Sequence, residues 1–80
     1  MNEQDLLAKF SELLGDLLGD DTIVLSMATT RPQIPNWDSF NYVNFIVAVE
    51  AELGIKFRVA DVEAFQTVGD IVTETQRLLR

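Results

Sequence analysis

Asp38 and Ser39, directly behind Trp37, are the residues of this 80-residue chain best placed to take part in chemistry. Both are good helix N-cap types, and an apolar run opens immediately after them at Phe40. A serine hydroxyl needs a neighbouring base to become a nucleophile, and the chain contains no histidine. It contains no cysteine either, which excludes disulfides and thiolate zinc sites and leaves the redox compartment unread. No pair of carboxylates stands out as a general acid and base, so no catalytic residue is expected. The Asp16–Asp21 segment lacks the alternating acids, central glycine and terminal glutamate of a calcium loop, so no metal site is expected there. Read by itself, Asp38-Ser39 is a helix cap, a very common feature.

Thirteen acids against six bases give a net charge of −7. A field of that sign repels phosphate backbones and anionic lipid, which argues against nucleic acid and against stable membrane insertion, and favours partners with basic patches. The acids concentrate ahead of Ser39: Glu3, Asp5, Glu12, Asp16, Asp20, Asp21 and Asp38 face only Lys9 and Arg31 in that part of the chain. Hydrophobic residues make up 48%, enough for a core and too much for a disordered acidic tail. No apolar stretch approaches the roughly 18 residues of a membrane span, and the acidic start Met1-Asn2-Glu3-Gln4-Asp5 is unlike a secretory leader. The expectation is one domain over 1–80, cytoplasmic and monomeric.

The elements that must position Ser39 are helical. Leu6, Leu7, Phe10, Leu13, Leu14, Leu17 and Leu18 recur at three- and four-residue steps, predicting a helix over about 3–18 with Asn2 as cap and Gly19 as stop. Gly15 inside that stripe is a mild cost. From 20 to 37 the period breaks, with Pro32 and Pro35 forbidding a continuous helix. Ile23, Val24, Leu25 and Met27 offer anchors, so this stretch reads as an ordered loop with one short helical turn, a short strand being the alternative. A second helix is predicted from the Asp38-Ser39 cap to Leu53, ended by Gly54, with Phe40, Val43, Ile46, Ala48, Val49 and Leu53 inward. Tyr42, Phe45 and Val47 are then left over on its outer side. A short helix follows over 59–65, and Thr67 to Asp70 forms a capping box for a last helix running to the C-terminus. The sum is an all-α, four-helix bundle with a long first loop.

These residues resemble the acyl carrier protein family. Asp38-Ser39-Phe40 stands where the family has Asp-Ser-Leu at the start of its second helix. Glu50-x-x-Leu53-Gly54-Ile55 is similar to the end of that helix, and Thr67-Val68 to the opening of the last one. The likeness follows helix order and loop length along the whole chain, and is specific over 37–57 and 67–72. It implies that Ser39 carries a 4'-phosphopantetheine arm holding acyl groups as thioesters, with Asp38 helping to place the metal ion of a separate phosphopantetheinyl transferase. The serine is then a passive acceptor, and the thiol comes from the arm. The resemblance further implies partner ligases, synthases or acyltransferases with basic or apolar docking surfaces, in fatty acid, lipid, polysaccharide or secondary-metabolite assembly.

Some positions depart from the pattern. Phe40, Asn41 and Asn44 replace the leucine and two acids usual in carriers of primary fatty acid synthesis, so steering by basic enzymes is expected to be weaker there. Val47 is the apolar residue between Asn44 and Glu50, and these with Trp37, Phe40 and Asn41 are the candidate partner-recognition residues. The Trp37-Asp38-Ser39 form is similar to stand-alone carriers outside the primary pathway. Several readings remain open. Trp37 either shields the arm, faces a partner, or packs onto the helix behind it. Phe45, Ile46 and Val49 line either an acyl cleft or an ordinary core. Asp20, Asp21, Glu50 and Glu52 are partner contacts or merely solvated. The cargo is acyl or aminoacyl, and an unmodified helical interaction module is the alternative of a different class.

Overall fold

The computed structural model describes all residues, Met1 to Arg80. Four helices follow one another: α1 Glu3–Leu18, α2 Ser39–Leu53, α3 Val59–Ala64 and α4 Val68–Leu78, with one 3-10 turn at Arg31–Gln33 inside the first loop. No strand forms, so the stretch 23–27 is loop. No helix is long and apolar enough to cross a membrane. The last helix stops at Leu78 rather than at the C-terminus, and α3 ends one residue before Phe65, which turns extended.

The ends of these helices follow local chemistry. The Asn2 side chain accepts from the Asp5 N–H at 2.8 Å while the Asp5 carboxylate reaches back to the Asn2 N–H, a capping box. Gly19 and Gly54 close α1 and α2 at φ of 69° and 66°, the left-handed conformation that costs glycine least. Thr67 and Asp70 cap α4 reciprocally: Oγ1 of Thr67 accepts from the Asp70 N–H, and the Asp70 carboxylate accepts from the N–H groups of Gln66 and Thr67.

Burial of Leu6, Leu7, Phe10 and Leu14 from α1, Phe45, Ile46 and Val49 from α2, and Val68, Ile71 and Val72 from α4 makes the core, with Leu25, Trp37 and Phe57 inserted from the connections. The inward arc of α2 differs from the predicted one. Phe45 is fully buried, whereas Phe40 and Val43 are 75% and 55% exposed. This helix is apolar on nearly every side, so its period does not select a face. The choice is made by packing: Phe45 meets Phe10 edge-on at 5.6 Å and Trp37 edge-on at 5.4 Å.

The long first loop is tied down at both flanks. Ser11 on α1 donates to the Leu7 carbonyl and accepts from the Leu25 N–H. At the other flank the carbonyls of Thr29 and Met27 accept from Val68 and Gly69, each at 2.8 Å, so loop groups satisfy the first free N–H donors of α4. Both close approaches need glycine. A β-carbon on Gly69 would lie 2.6 Å from the Met27 carbonyl oxygen, and one on Gly15 would lie 2.7 Å from that of Asp20. Gly15 is therefore a requirement of the loop's departure rather than a mild defect of α1.

Two stability measurements follow. Gly69→Ala should lower unfolding free energy in urea by about 1–3 kcal/mol, the usual size of overpacking against backbone; an unchanged midpoint would show that loop and α4 separate freely. The Asp70 carboxyl is held below the ordinary range by the N–H groups of Gln66 and then Thr67. A depressed folded-state pKa stabilises above the unfolded-state value and loses that contribution as pH falls through the folded one. Asp70→Asn should thus cost about 1 kcal/mol near neutral pH, a typical cap, and the gap from wild type should narrow below about pH 4. A gap that is constant with pH would contradict this.

Candidate functional site

Ser39 is the first residue of α2 and is exposed. Asp38, not Ser39, supplies the cap: its Oδ1 accepts from the Asn41 N–H at 2.9 Å, and its carbonyl accepts from the Tyr42 N–H at 2.8 Å. That arrangement leaves the Ser39 hydroxyl unengaged. The N–H groups of Ser39 and Phe40 precede the first intrahelical bond and take no acceptor from the protein. Two free donors and the positive end of the helix dipole surround the hydroxyl, an environment that favours an anion.

The approach to Ser39 is held by specific contacts. Asn36 takes a left-handed φ of 70°, which asparagine tolerates better than most residues. Its carbonyl accepts from the Asn41 side chain at 2.9 Å, so Asn41 latches the loop to α2. Trp37 then drops into the core at 4% exposure, against Phe45 and, at 6.3 Å, Tyr42. Of the readings open for Trp37, packing is the observed one, and it presents almost no surface to a partner. Tyr42 ties α2 to α3 through a 2.6 Å hydrogen bond from its hydroxyl to the Val62 carbonyl, and the Arg31 guanidinium lies 4.7 Å over its ring. Burial pushes the Tyr42 phenol up, and nearby Arg31 only partly opposes this.

Glu50, named above among the partner residues, is engaged inside the fold. Its side chain is 14% exposed, and one oxygen accepts from the Phe57 N–H at 2.8 Å while the other faces Lys56 at 3.8 Å. Its carbonyl also receives the N–H groups of Gly54 and Ile55. Glu50 organises the α2–α3 connection, a role that nothing in its sequence spacing announces beyond its place one turn before Gly54. Glu52 pairs with Lys9 across α1 and α2 at 3.1 Å, and Asp20 closes a turn onto the Thr22 hydroxyl and N–H. The Thr22 hydroxyl, then its N–H, lowers the Asp20 pKa, and hydrogen bonding to Glu52 raises that of Lys9. Asp21 remains exposed.

The free surface beside Ser39 is apolar. Phe40, Val43 and Val47 stand at three- and four-residue steps down α2, exposed at 75%, 55% and 56%, and Val59 on α3 is exposed at 74%. Between α2 and α3 lies an open groove of about 300 Å³ whose walls include Val43, Ile46, Val47, Phe57, Val59 and Val62. Val43 and Val59 were not among the candidate residues; only the corrected orientation of α2 brings them to this surface. Phe45 and Val49 do not line the groove and belong to the core, whereas Ile46 touches both.

No family model matches the chain. An acyl carrier protein of Clostridium perfringens is 34% identical over 64 residues, covering 80% of this chain and 84% of that one. The chain belongs to the acyl carrier protein family. An acyl carrier protein of Thermotoga maritima is 27% identical over 78 residues, covering 98% of this chain and 96% of the relative. Among solved structures, the holo acyl carrier protein of Geobacter metallireducens superposes with a TM-score of 0.84 at 30% identity, over 91% of this chain and 84% of that one. Membership makes the chain a carrier, and the all-helical four-helix architecture is that of the family.

The division of labour among the acids gives a direct check. Glu50→Ala should lower stability by about 1–3 kcal/mol, because the Phe57 N–H loses its acceptor in a largely buried position. Glu52→Ala, which removes a partly exposed ion pair, should change it by less than about 1 kcal/mol. Equal effects in denaturant titrations would show that Glu50 is an ordinary surface acid.

Proposed function

We propose that Ser39 carries 4'-phosphopantetheine as a phosphodiester and that the chain presents thioester-bound acyl groups to partner enzymes in a specialised acylation pathway. The observation that carries this reading is the Ser39 hydroxyl itself: exposed, free of hydrogen bonds within the protein, and set beside two unpaired backbone N–H donors. These residues fit the group. The free N–H groups of Ser39 and Phe40 favour the phosphate, and Asp38 keeps its second oxygen available to the transferase's metal ion. When bound, the group supplies the thiol that this cysteine-free chain lacks.

The chain's own contribution is placement and recognition. Trp37 and Asn41 hold the lead-in so that Ser39 meets a transferase in one orientation. Phe40, Val43 and Val47 offer an apolar strip to partner enzymes, with Asn44 in place of an acid. Docking on this face rests on buried apolar area more than on charge steering, so partner association at this helix should respond weakly to salt. The α2–α3 groove, being apolar and open, suits an acyl chain better than a charged aminoacyl group.

Incubation with coenzyme A and a broad-range phosphopantetheinyl transferase should add one phosphopantetheinyl mass, and Ser39→Ala should abolish the addition. An unmodified wild type, or a modified Ser39→Ala, would sink the proposal. Phe40→Asp should leave stability within about 0.5 kcal/mol, as expected of an exposed position. It should lower kcat/KM of a partner enzyme on the loaded carrier about tenfold, equivalent to about 1.4 kcal/mol.

A further inference from the structure

The short helix α3 is positioned from outside itself. Its six residues fall well below the length that folds as an isolated helix, none of them is buried, and Arg58 supplies no side-chain cap. Its flanks are fixed by Phe57 and Phe65, whose rings meet edge-on at 5.6 Å. At its C-terminal end the Gln66 N–H, which a further helical turn would bring to the Val62 carbonyl, goes instead to the Asp70 carboxylate at 2.9 Å. The Tyr42 hydroxyl takes that place and donates to the Val62 carbonyl at 2.6 Å, the one hydrogen bond between α2 and α3. Burial raises the phenol pKa, so the group stays protonated and able to donate at neutral pH. The ring that carries it is braced in turn, with the Arg31 guanidinium 4.7 Å over it and Trp37 6.3 Å away.

Val62 is also a wall of the groove between the two helices, with Val43, Ile46 and Val47 on the α2 side. Tyr42 is not part of that lining, so its hydroxyl bears on the width of the groove and not on its surface. Ser39 shares a stripe of α2 with Val43, Ile46 and Glu50, at steps of four, three and four residues, so the groove begins one turn from Ser39. We propose that the Tyr42 hydroxyl is a positioning group for cargo: by fixing the Val62 wall it keeps the groove narrow enough to close on an unbranched aliphatic chain tethered at Ser39. The inference rests on attachment at Ser39 and on the acyl reading of the groove.

Wild type and Tyr42→Phe should be compared with the arm carrying an acetyl or an octanoyl thioester, each form verified by mass. The rate of cleavage by hydroxylamine, divided by that of the same thioester on free pantetheine, reports how far the cargo is sheltered. In the wild type the octanoyl form should be protected, and the acetyl form, which has no chain to bury, should not. In Tyr42→Phe the octanoyl protection should fall about fivefold, the effect of one net hydrogen bond on an opening equilibrium, with the acetyl rate unchanged. Octanoyl and acetyl forms cleaved alike in the wild type, equal protection in wild type and variant, or a change common to both cargoes would each overturn the proposal. A chain that takes up no arm fails at the mass measurement and overturns attachment at Ser39, and this inference with it. If Tyr42→Phe does not fold, amide exchange in the wild type decides: octanoyl loading should slow exchange at Val62 and Phe65 relative to acetyl loading, and equal exchange would overturn the proposal.

Discussion

The structure depends on one packing event, the insertion of Trp37 against Phe45, which itself meets Phe10. These three rings come from the lead-in, α2 and α1, and their edge-to-face contacts set which side of α2 faces inward. Once Phe45 is inside, helical spacing sends Phe40, Val43 and Val47 outward and leaves Ser39 at the surface. The burial that stabilises the bundle thus also exposes Ser39, the proposed attachment residue. Nothing in Asp38-Ser39 does this alone; the dipeptide opens α2 directly after Trp37, a residue anchored in the core.

The protein around Ser39 supplies geometry rather than reactivity. Asp38 takes over the cap, which frees the serine hydroxyl, and the unpaired N–H groups of the first turn complement an anion. Several acids are engaged inside the fold: Glu50 with Phe57 and Lys56, Glu52 with Lys9, Asp20 with Thr22. What faces a visitor along α2 is apolar. On the proposed reading, a partner that docks on the second helix meets Phe40, Val43, Val47 and Asn44 rather than a row of acids.

Much of this was legible in the sequence because it is local. Asn2, Asp38 and Thr67 announce helix starts through side chains that reach only three residues ahead, and Gly19 and Gly54 announce ends through a conformation glycine tolerates. The start of α2 at Asp38-Ser39 was readable for the same reason, the Asp38 cap being local. The remainder depends on contacts distant in the chain. The face of α2 could not be chosen from its own residues, since apolar side chains surround it, and Phe45 was consequently placed outside. Gly15 reads in the sequence only as a mild cost, and nothing local to Gly15 or Gly69 signals the carbonyls of Asp20 and Met27 that lie against them. Glu50 resembled a surface acid because its partner, the Phe57 N–H, lies beyond a turn whose course the sequence does not specify. That the Trp37 indole Nε1 is buried without a hydrogen-bond partner has no sequence signal either, because it depends on what packs around the ring.

The dependence of Ser39's setting on Trp37 is most directly tested by amide hydrogen exchange at the head of α2 in Trp37→Ala. If the indole anchors the lead-in, this variant should lose about 3–5 kcal/mol of stability, the usual cost of truncating a buried aromatic. The Asn41 and Tyr42 amides, bonded to Asp38, should lose protection beyond that global change. Retained stability together with wild-type protection at Asn41 and Tyr42 would show that the Asp38 cap holds the start of α2 unaided, and would contradict the account.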